Sequence, residues 1–223
     1  MNFSTNDLHY SVRWNIKRDP VYRLLDNPEH LDNFFSTGQL MLSCFETFKK
    51  NPNEMRGDPD EGNGIVGEFG NGEFNKHIIY EGGKNAYILS TTTEPSPQTI
   101  MDFNAIGAIK INSPMFFGLE ISKKLPFVNS GIEGRCNYEN SRVKFMEGDK
   151  GKFLNTINAE DLQNPYVRER FQQLTLGQEI FLKLKKYEYQ QEYRFVWFSK
   201  FEVSKSMLVN CPEAVQFCEK IIY

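Results

Sequence analysis

Long apolar runs are missing from this sequence. No stretch approaches the roughly 18 consecutive apolar residues a spanning helix needs, and residues 1–14 are polar where a signal peptide has its apolar block. A cytoplasmic protein with no membrane partner is the expectation. Histidine is scarce, with three in 223 residues, and the four cysteines at 44, 136, 211 and 218 form no CxxC pair. That spacing argues against a zinc site or a disulfide framework and for reduced thiols. An excess of one charge is also lacking. A net charge of −3 supplies no whole-molecule attraction for a polyanion, so a nucleic-acid contact has to come from a local patch. No glycine-rich dinucleotide fingerprint follows a predicted strand, no nucleophile elbow occurs, and Asp58, Asp60 and Glu61 lack the ligand order of an EF-hand loop. A Rossmann dehydrogenase, a Ser/His/Asp hydrolase and a metal enzyme are disfavoured.

What is present is aromatic and punctuated. With 19 Phe and 10 Tyr the chain has ample area for a core, and its length suits a single domain, 1–223, with residues 1–18 as an N-terminal arm. Val21-Tyr22-Arg23-Leu24-Leu25 reads as a strand. Asn27, Pro28 and Gly38 then bracket a helix as cap, first position and stop. Gln39 to Cys44 reads as a strand and Phe45 to Lys50 as a helical turn. Asn51 to Asn75, rich in Gly, Asn and acidic residues, reads as a long loop suited to close approach or lid motion.

Lys76 to Tyr80 and Asn85 to Thr92 read as strands joined by a glycine-bearing hairpin bend. Ile106 to Ile111 and Arg142 to Met146 are further strands, and Pro114 to Leu125 and Pro165 to Leu176 are helices. Tyr193-Arg194-Phe195-Val196-Trp197-Phe198 is a core strand by its β-prone composition. From Pro212 on, Ala214, Phe217, Cys218, Ile221 and Ile222 keep helical spacing, which predicts a last amphipathic helix. The class is α+β.

Three small signals occur in order: Arg23 on an early strand, Ser90-Thr91-Thr92 at the end of a middle strand, and Gln190-Gln191-Glu192 before a late one. Together they resemble the Arg, Ser-Thr-Ser and Gln-x-Glu pattern of the ADP-ribosyltransferases. Tyr22-Arg23, Arg56-Gly57-Asp58 with Glu61-Gly62, and Glu192-Tyr193-Arg194 look like a group of bacterial toxin and phage-defence proteins of that superfamily. The likeness spans roughly Val21 to Trp197, and Thr92 departs from it by replacing a second Ser. It implies two packed, mostly antiparallel sheets with flanking helices, NAD as co-substrate, no metal, and transfer of ADP-ribose to nucleic acid or protein. As a toxin such a chain would have an antitoxin partner.

The chemistry can be argued on the residues themselves. Breaking the glycosidic bond of NAD leaves positive charge on the ribose, which a fixed carboxylate such as Glu192 stabilises. Gln190 would share a face with it if the backbone is extended, and in the resemblance it faces the acceptor. Arg23 suits the pyrophosphate through bidentate hydrogen bonds. Tyr22 accompanies it, Ser90 would bond near the glutamate, and Thr91 and Thr92 would be supporting hydroxyls. Arg56, in a glycine-rich loop with Asp58 and Glu61, is a further candidate for the cofactor or acceptor. Lys183, Lys185 and Lys186 with Tyr187 and Tyr189 favour a nucleic-acid acceptor slightly, by charge and base stacking. A silent binding module and an NAD glycohydrolase stay open as alternatives.

Overall fold

The computed structural model describes residues 18–53, 57–70, 73–175 and 178–223. Within it the chain forms two compact units, the first from residues up to Pro59, Lys84–Cys136 and Lys186–Tyr223, the second from Asp60–Gly83 and Asn137–Lys185. Of the proposed arm, all but Arg18 lies outside the described residues.

In chain order the first unit opens with β1 (Val21–Leu25), α1 (Pro28–Thr37), β2 (Gln39–Leu42) and α2 (Phe45–Lys50). The second contributes β3 (Asn63–Gly70) and β4 (Glu73–Glu81). The first resumes with β5 (Ala86–Thr92), α3 (Pro97–Asp102), β6 (Gly107–Ile111), α4 (Pro114–Lys124) and β7 (Val128–Arg135). The second then adds β8 (Asn137–Glu139), β9 (Val143–Met146), α5 (Gly148–Thr156), α6 (Pro165–Thr175) and β10 (Leu182–Leu184). The first closes with β11 (Glu192–Ser199), β12 (Met207–Asn210), α7 (Pro212–Val215) and β13 (Cys218–Ile222).

The α+β class holds. The described strands form four sheets: one of six in the order β13-β6-β1-β5-β11-β7, one of three, β4-β3-β9, and two pairs, β12-β2 and β10-β8. Every pairing in the six-stranded sheet is antiparallel, while β3 with β9 and β8 with β10 are parallel.

Local chemistry explains where the first elements start and stop. Asn27 accepts the Glu29 amide at 2.8 Å, Pro28 occupies the first helical position, and α1 ends at Gly38 with φ of 73°. A side chain at Gly38 would overlap the carbonyl of Cys211, whose amide donates to the Gly38 oxygen at 2.9 Å. The glycine both reverses the chain and lets α1 abut the start of α7.

Three sequence expectations fail. Residues 51–75 are not one long loop, because Asn63–Gly70 is a strand held between β4 and β9. The hairpin across Gly82-Gly83 is absent, because β4 pairs with β3 and β5 pairs with β1 and β11, in different sheets. The last amphipathic helix stops at Val215, and Cys218–Ile222 joins the sheet against β6 from Cys218↔Ile111 to Ile222↔Gly107. Backbone pairing to β6 outweighs the helical spacing there.

Strand β11 carries the core of the first unit. Tyr193, Phe195 and Trp197 alternate onto one face, and Phe195 stacks on Trp197 with ring centroids 5.9 Å apart. Phe117 of α4 meets Phe195 at 5.4 Å, and the Trp197 indole N–H donates to the Gly118 carbonyl at 3.0 Å. The second unit has its own core of Val66, Ile78, Met146, Leu154, Ile157 and Phe171.

Candidate functional site

Residues directly opposite in an antiparallel pair share a face, so the register sorts the candidates. Tyr22 faces Thr92, and Thr92 faces Glu192, which sets the three in one row across β1, β5 and β11. Ser90 faces Arg194 in the next row of that face. Alternation puts Arg23 on the opposite face, with Val21 and with Ile109 across from it. The sheet therefore gathers Tyr22, Ser90, Thr92, Glu192 and Arg194, and it separates Arg23 from Glu192.

Arg23 nevertheless reaches β5. The β1-β5 seam is paired at Tyr22↔Thr92, and further along Ile88 exchanges both backbone hydrogen bonds with Ser43 instead, at 2.9 and 2.8 Å. Between these two points the Ser90 carbonyl accepts from Arg23 Nη1 at 3.0 Å. A guanidinium thus takes the place of a neighbouring strand's amide where the sheet parts, which keeps a backbone acceptor satisfied.

Glu192 is buried at the head of β11, and Arg194 Nε donates to its Oε1 at 2.6 Å. Arg194 is 1% exposed, so this is a desolvated, charge-assisted pair with one geometry. Sequence reasoning passed over Arg194 as a site residue. The signal was there, since an arginine inside the β-prone run Tyr193–Phe198 must find a buried acid, and the residue two before it is one.

The threonines hold backbone together. Thr91 donates to the Tyr193 carbonyl at 2.7 Å, and Thr92 Oγ1 both accepts the Glu94 amide and donates to the Glu94 carbonyl at 3.1 Å. The Ser90 hydroxyl has no hydrogen-bond partner among the described residues. Gln190 is buried, but it ends a 3-10 segment and Gln191 follows with φ of 44°, so the extended backbone assumed for Gln190 and Glu192 does not occur. Tyr187 is buried with the Lys186 ammonium 4.7 Å over its ring, which takes it out of base stacking. Tyr189 is 37% exposed and donates its hydroxyl to Asp102 at 2.9 Å. Arg56 lies outside the described residues, and Asp58 and Glu61 are buried.

No family model, curated protein or solved structure matches the chain. The site therefore has to be judged on its own groups. Among the described residues no cluster of His, Cys, Asp and Glu is placed to hold a metal ion, and no helix is long and apolar enough to cross a membrane.

A second buried acid lies on the core face of the same sheet. Glu133 of β7 stands opposite Phe195, its side chain 1% exposed. Arg18 Nη1 is 2.8 Å from Glu133 Oε1 and donates to the Tyr193 hydroxyl at 2.9 Å. Among the described residues neither Glu133 oxygen meets strict hydrogen-bond geometry, so the contact is mainly one of charge, with a weaker contribution from the Tyr193 hydroxyl. Burial pushes the Glu133 carboxyl up to about 7, against the opposing pull of Arg18.

A folded-state value above the ordinary 4.5 means that the fold holds a proton the unfolded chain releases. The contribution is full below the ordinary value and is lost as pH rises through about 7. Wild-type stability is expected to fall across that window, by on the order of 2 kcal/mol. Glu133→Gln should flatten the profile, and urea titrations at pH 5 and pH 8 will read the difference. Equal pH slopes for both proteins would refute the assignment.

Proposed function

We propose that this chain is an ADP-ribosyltransferase-type enzyme that uses NAD as co-substrate and acts as a bacterial toxin or phage-defence effector. The observation that carries the reading is the buried Glu192 carboxylate, fixed by Arg194 in a row with Thr92 and Tyr22. The order of Arg23, Ser90-Thr91-Thr92 and Gln190-x-Glu192 along the chain supports it. On the fold, the all-antiparallel six-stranded sheet with helices in the same unit supports the reading.

In the reaction the bond between ribose and nicotinamide breaks, and its electron pair leaves with nicotinamide as a neutral base. The sugar is left with oxocarbenium character, and a nucleophile of the acceptor forms the new bond and loses its proton to solvent. Glu192 lowers the cost of that positive charge, because an oriented carboxylate in a dry site needs no reorganisation as charge develops. Arg194 holds the carboxylate in one orientation. Arg23 enters this reading through the Ser90 carbonyl, holding β5 where the seam opens, rather than through a direct share of the pyrophosphate. Thr91 and Thr92 keep that end of β5 in register.

The acceptor is a macromolecule, with nucleic acid placed before protein. A glutamine two residues before the glutamate goes with amide or nucleobase acceptors rather than arginine in the superfamily that the sequence resembles. The test is incubation with labelled NAD and separate pools of RNA, DNA and cell protein, with Glu192→Gln in parallel. Label on one pool, lost in the variant, is the expected outcome and names the acceptor. Nicotinamide release with no labelled pool would make the chain an NAD glycohydrolase. Neither label nor nicotinamide would leave a binding module.

A further inference from the structure

The row that holds Tyr22, Thr92 and Glu192 does not stop at β1. Lys110 of β6 stands directly opposite Tyr22, and Glu219 of β13 stands opposite Lys110. Opposed residues in antiparallel pairs share a face, so Glu219, Lys110, Tyr22, Thr92 and Glu192 form one line across five neighbouring strands. Among the described residues that the six strands place on that face, two carry a positive charge, Arg194 and Lys110. Arg194 is buried against Glu192. Arg23, which the sequence offers for a diphosphate, lies on the other face with its guanidinium on the Ser90 carbonyl. The cation left for an anionic ligand on the Glu192 face is Lys110.

The surroundings of Lys110 suit a ligand that comes and goes. Its ammonium bonds Glu219 Oε2 at 2.8 Å, with the two side chains 24% and 56% exposed. Exposed pairs of this kind hold weakly, and a lysine stem is long and flexible, so an incoming phosphate can draw the ammonium away from Glu219 at small cost. The bond to Glu219 raises the ammonium above its ordinary range, which keeps it charged at neutral pH. Beside it the next row is apolar: Leu24, Ala108 and Ile221 stand opposite one another. None of them brings a charge that would compete for the ligand.

Neighbouring strands stand about 4.8 Å apart, so three spacings put Lys110 about 14 Å from Glu192, Cα to Cα. From a glycosidic carbon held at Glu192, a dinucleotide reaches its diphosphate after one ribose and a 5′-carbon, and a lysine stem turned toward Tyr22 covers the remainder. We infer that Lys110 is the diphosphate-binding cation of this site, with the co-substrate laid along the row from Glu192 over Thr92 and Tyr22. The inference rests on the Glu192 reading for the position of the glycosidic bond, and adds the residue that holds the ligand's charge. As a binding residue, Lys110 acts on affinity and not on the bond-breaking step.

Isothermal titration of the full chain with ADP-ribose, and steady-state nicotinamide release from NAD, test it in two independent readouts. Lys110→Gln is expected to weaken ADP-ribose by about ten-fold, the usual weight of one charge-assisted hydrogen bond. KM for NAD should rise by a similar factor with kcat unchanged. Lys110→Arg should restore binding, and Glu219→Gln should tighten it, because the ammonium then has no competing carboxylate. ADP-ribose binding that Lys110→Gln leaves unchanged overturns the proposal without touching the Glu192 reading. So does a folded parent that does not bind ADP-ribose at all. A parent that binds ADP-ribose through Lys110 but releases no nicotinamide upholds the diphosphate site and refutes the transferase reading instead.

Discussion

Replacing Arg194 by Met is expected to destabilise the first unit by about 3–5 kcal/mol, the usual cost of stripping one partner from a buried ion pair. The guanidinium is 1% exposed and bonds Glu192 at 2.6 Å. Met nearly fills the space but leaves the carboxylate in a dry site beside Thr92. The double variant Glu192→Gln/Arg194→Met removes both charges and should recover part of the loss, because a neutral amide is far cheaper to bury than a carboxylate that has lost its counter-charge. Urea unfolding of the parent, both single variants and the double variant yields the coupling energy directly. A loss below about 1 kcal/mol for Arg194→Met would show that water reaches the pair and that it does little for stability.

Glu192→Gln is the second large effect. If the carboxylate stabilises the ribosyl cation, its neutral isostere should lower nicotinamide release by about 100-fold to 1000-fold, the range seen when one oriented electrostatic group is removed from a transition state. Gln is a sharper probe than Ala because it keeps an oxygen for Arg194 and spares the core. The fall should appear in kcat rather than in KM, since the charge develops only in the transition state. Circular dichroism and the thermal midpoint will establish that the variant folds. A folded variant turning over NAD within about three-fold of the parent, a change worth less than 1 kcal/mol in the barrier, removes Glu192 from the chemistry.

The parts of this fold that could be read from the sequence are those where local chemistry and tertiary pairing agree. Asn27, Pro28 and Gly38 mark α1 at both ends, and the run Tyr193–Phe198 announces the strand that carries the core. Strand β7 has no clear mark in the sequence. Val-Asn-Ser-Gly-Ile-Glu-Gly-Arg has little β-propensity of its own, and it is a strand because β11 offers it a ladder from Tyr193↔Arg135 to Ser199↔Val128. The same applies to β3, whose glycines suggest a loop until one of them is seen to seat Tyr80. Cys218–Ile222 fits either period over so short a span, and only the free edge of β6 decides it.

For the site, residue types and order were legible but side-chain faces were not. A single pairing, Tyr22↔Thr92, determines that Tyr22 rather than Arg23 shares a face with Glu192. A one-residue change of register would reverse that. The role of Gln190 turned on backbone geometry, and the left-handed Gln191 after it has no clear mark in the sequence.

The parallel pair β8-β10 sets Asn137 opposite Leu182, and these residues lie just beyond β7 and just before β11. Once that pair has formed, the excursion separating β7 from β11 behaves as a much shorter tether. The entropy of closing the β7-β11 ladder then falls by on the order of 1 kcal/mol. Early collapse of the second unit would therefore hasten one of the non-local steps in assembling the first. In kinetic terms the inserted unit acts as a clasp, and mutations that loosen β8-β10 should slow the refolding of a sheet to which those residues do not belong.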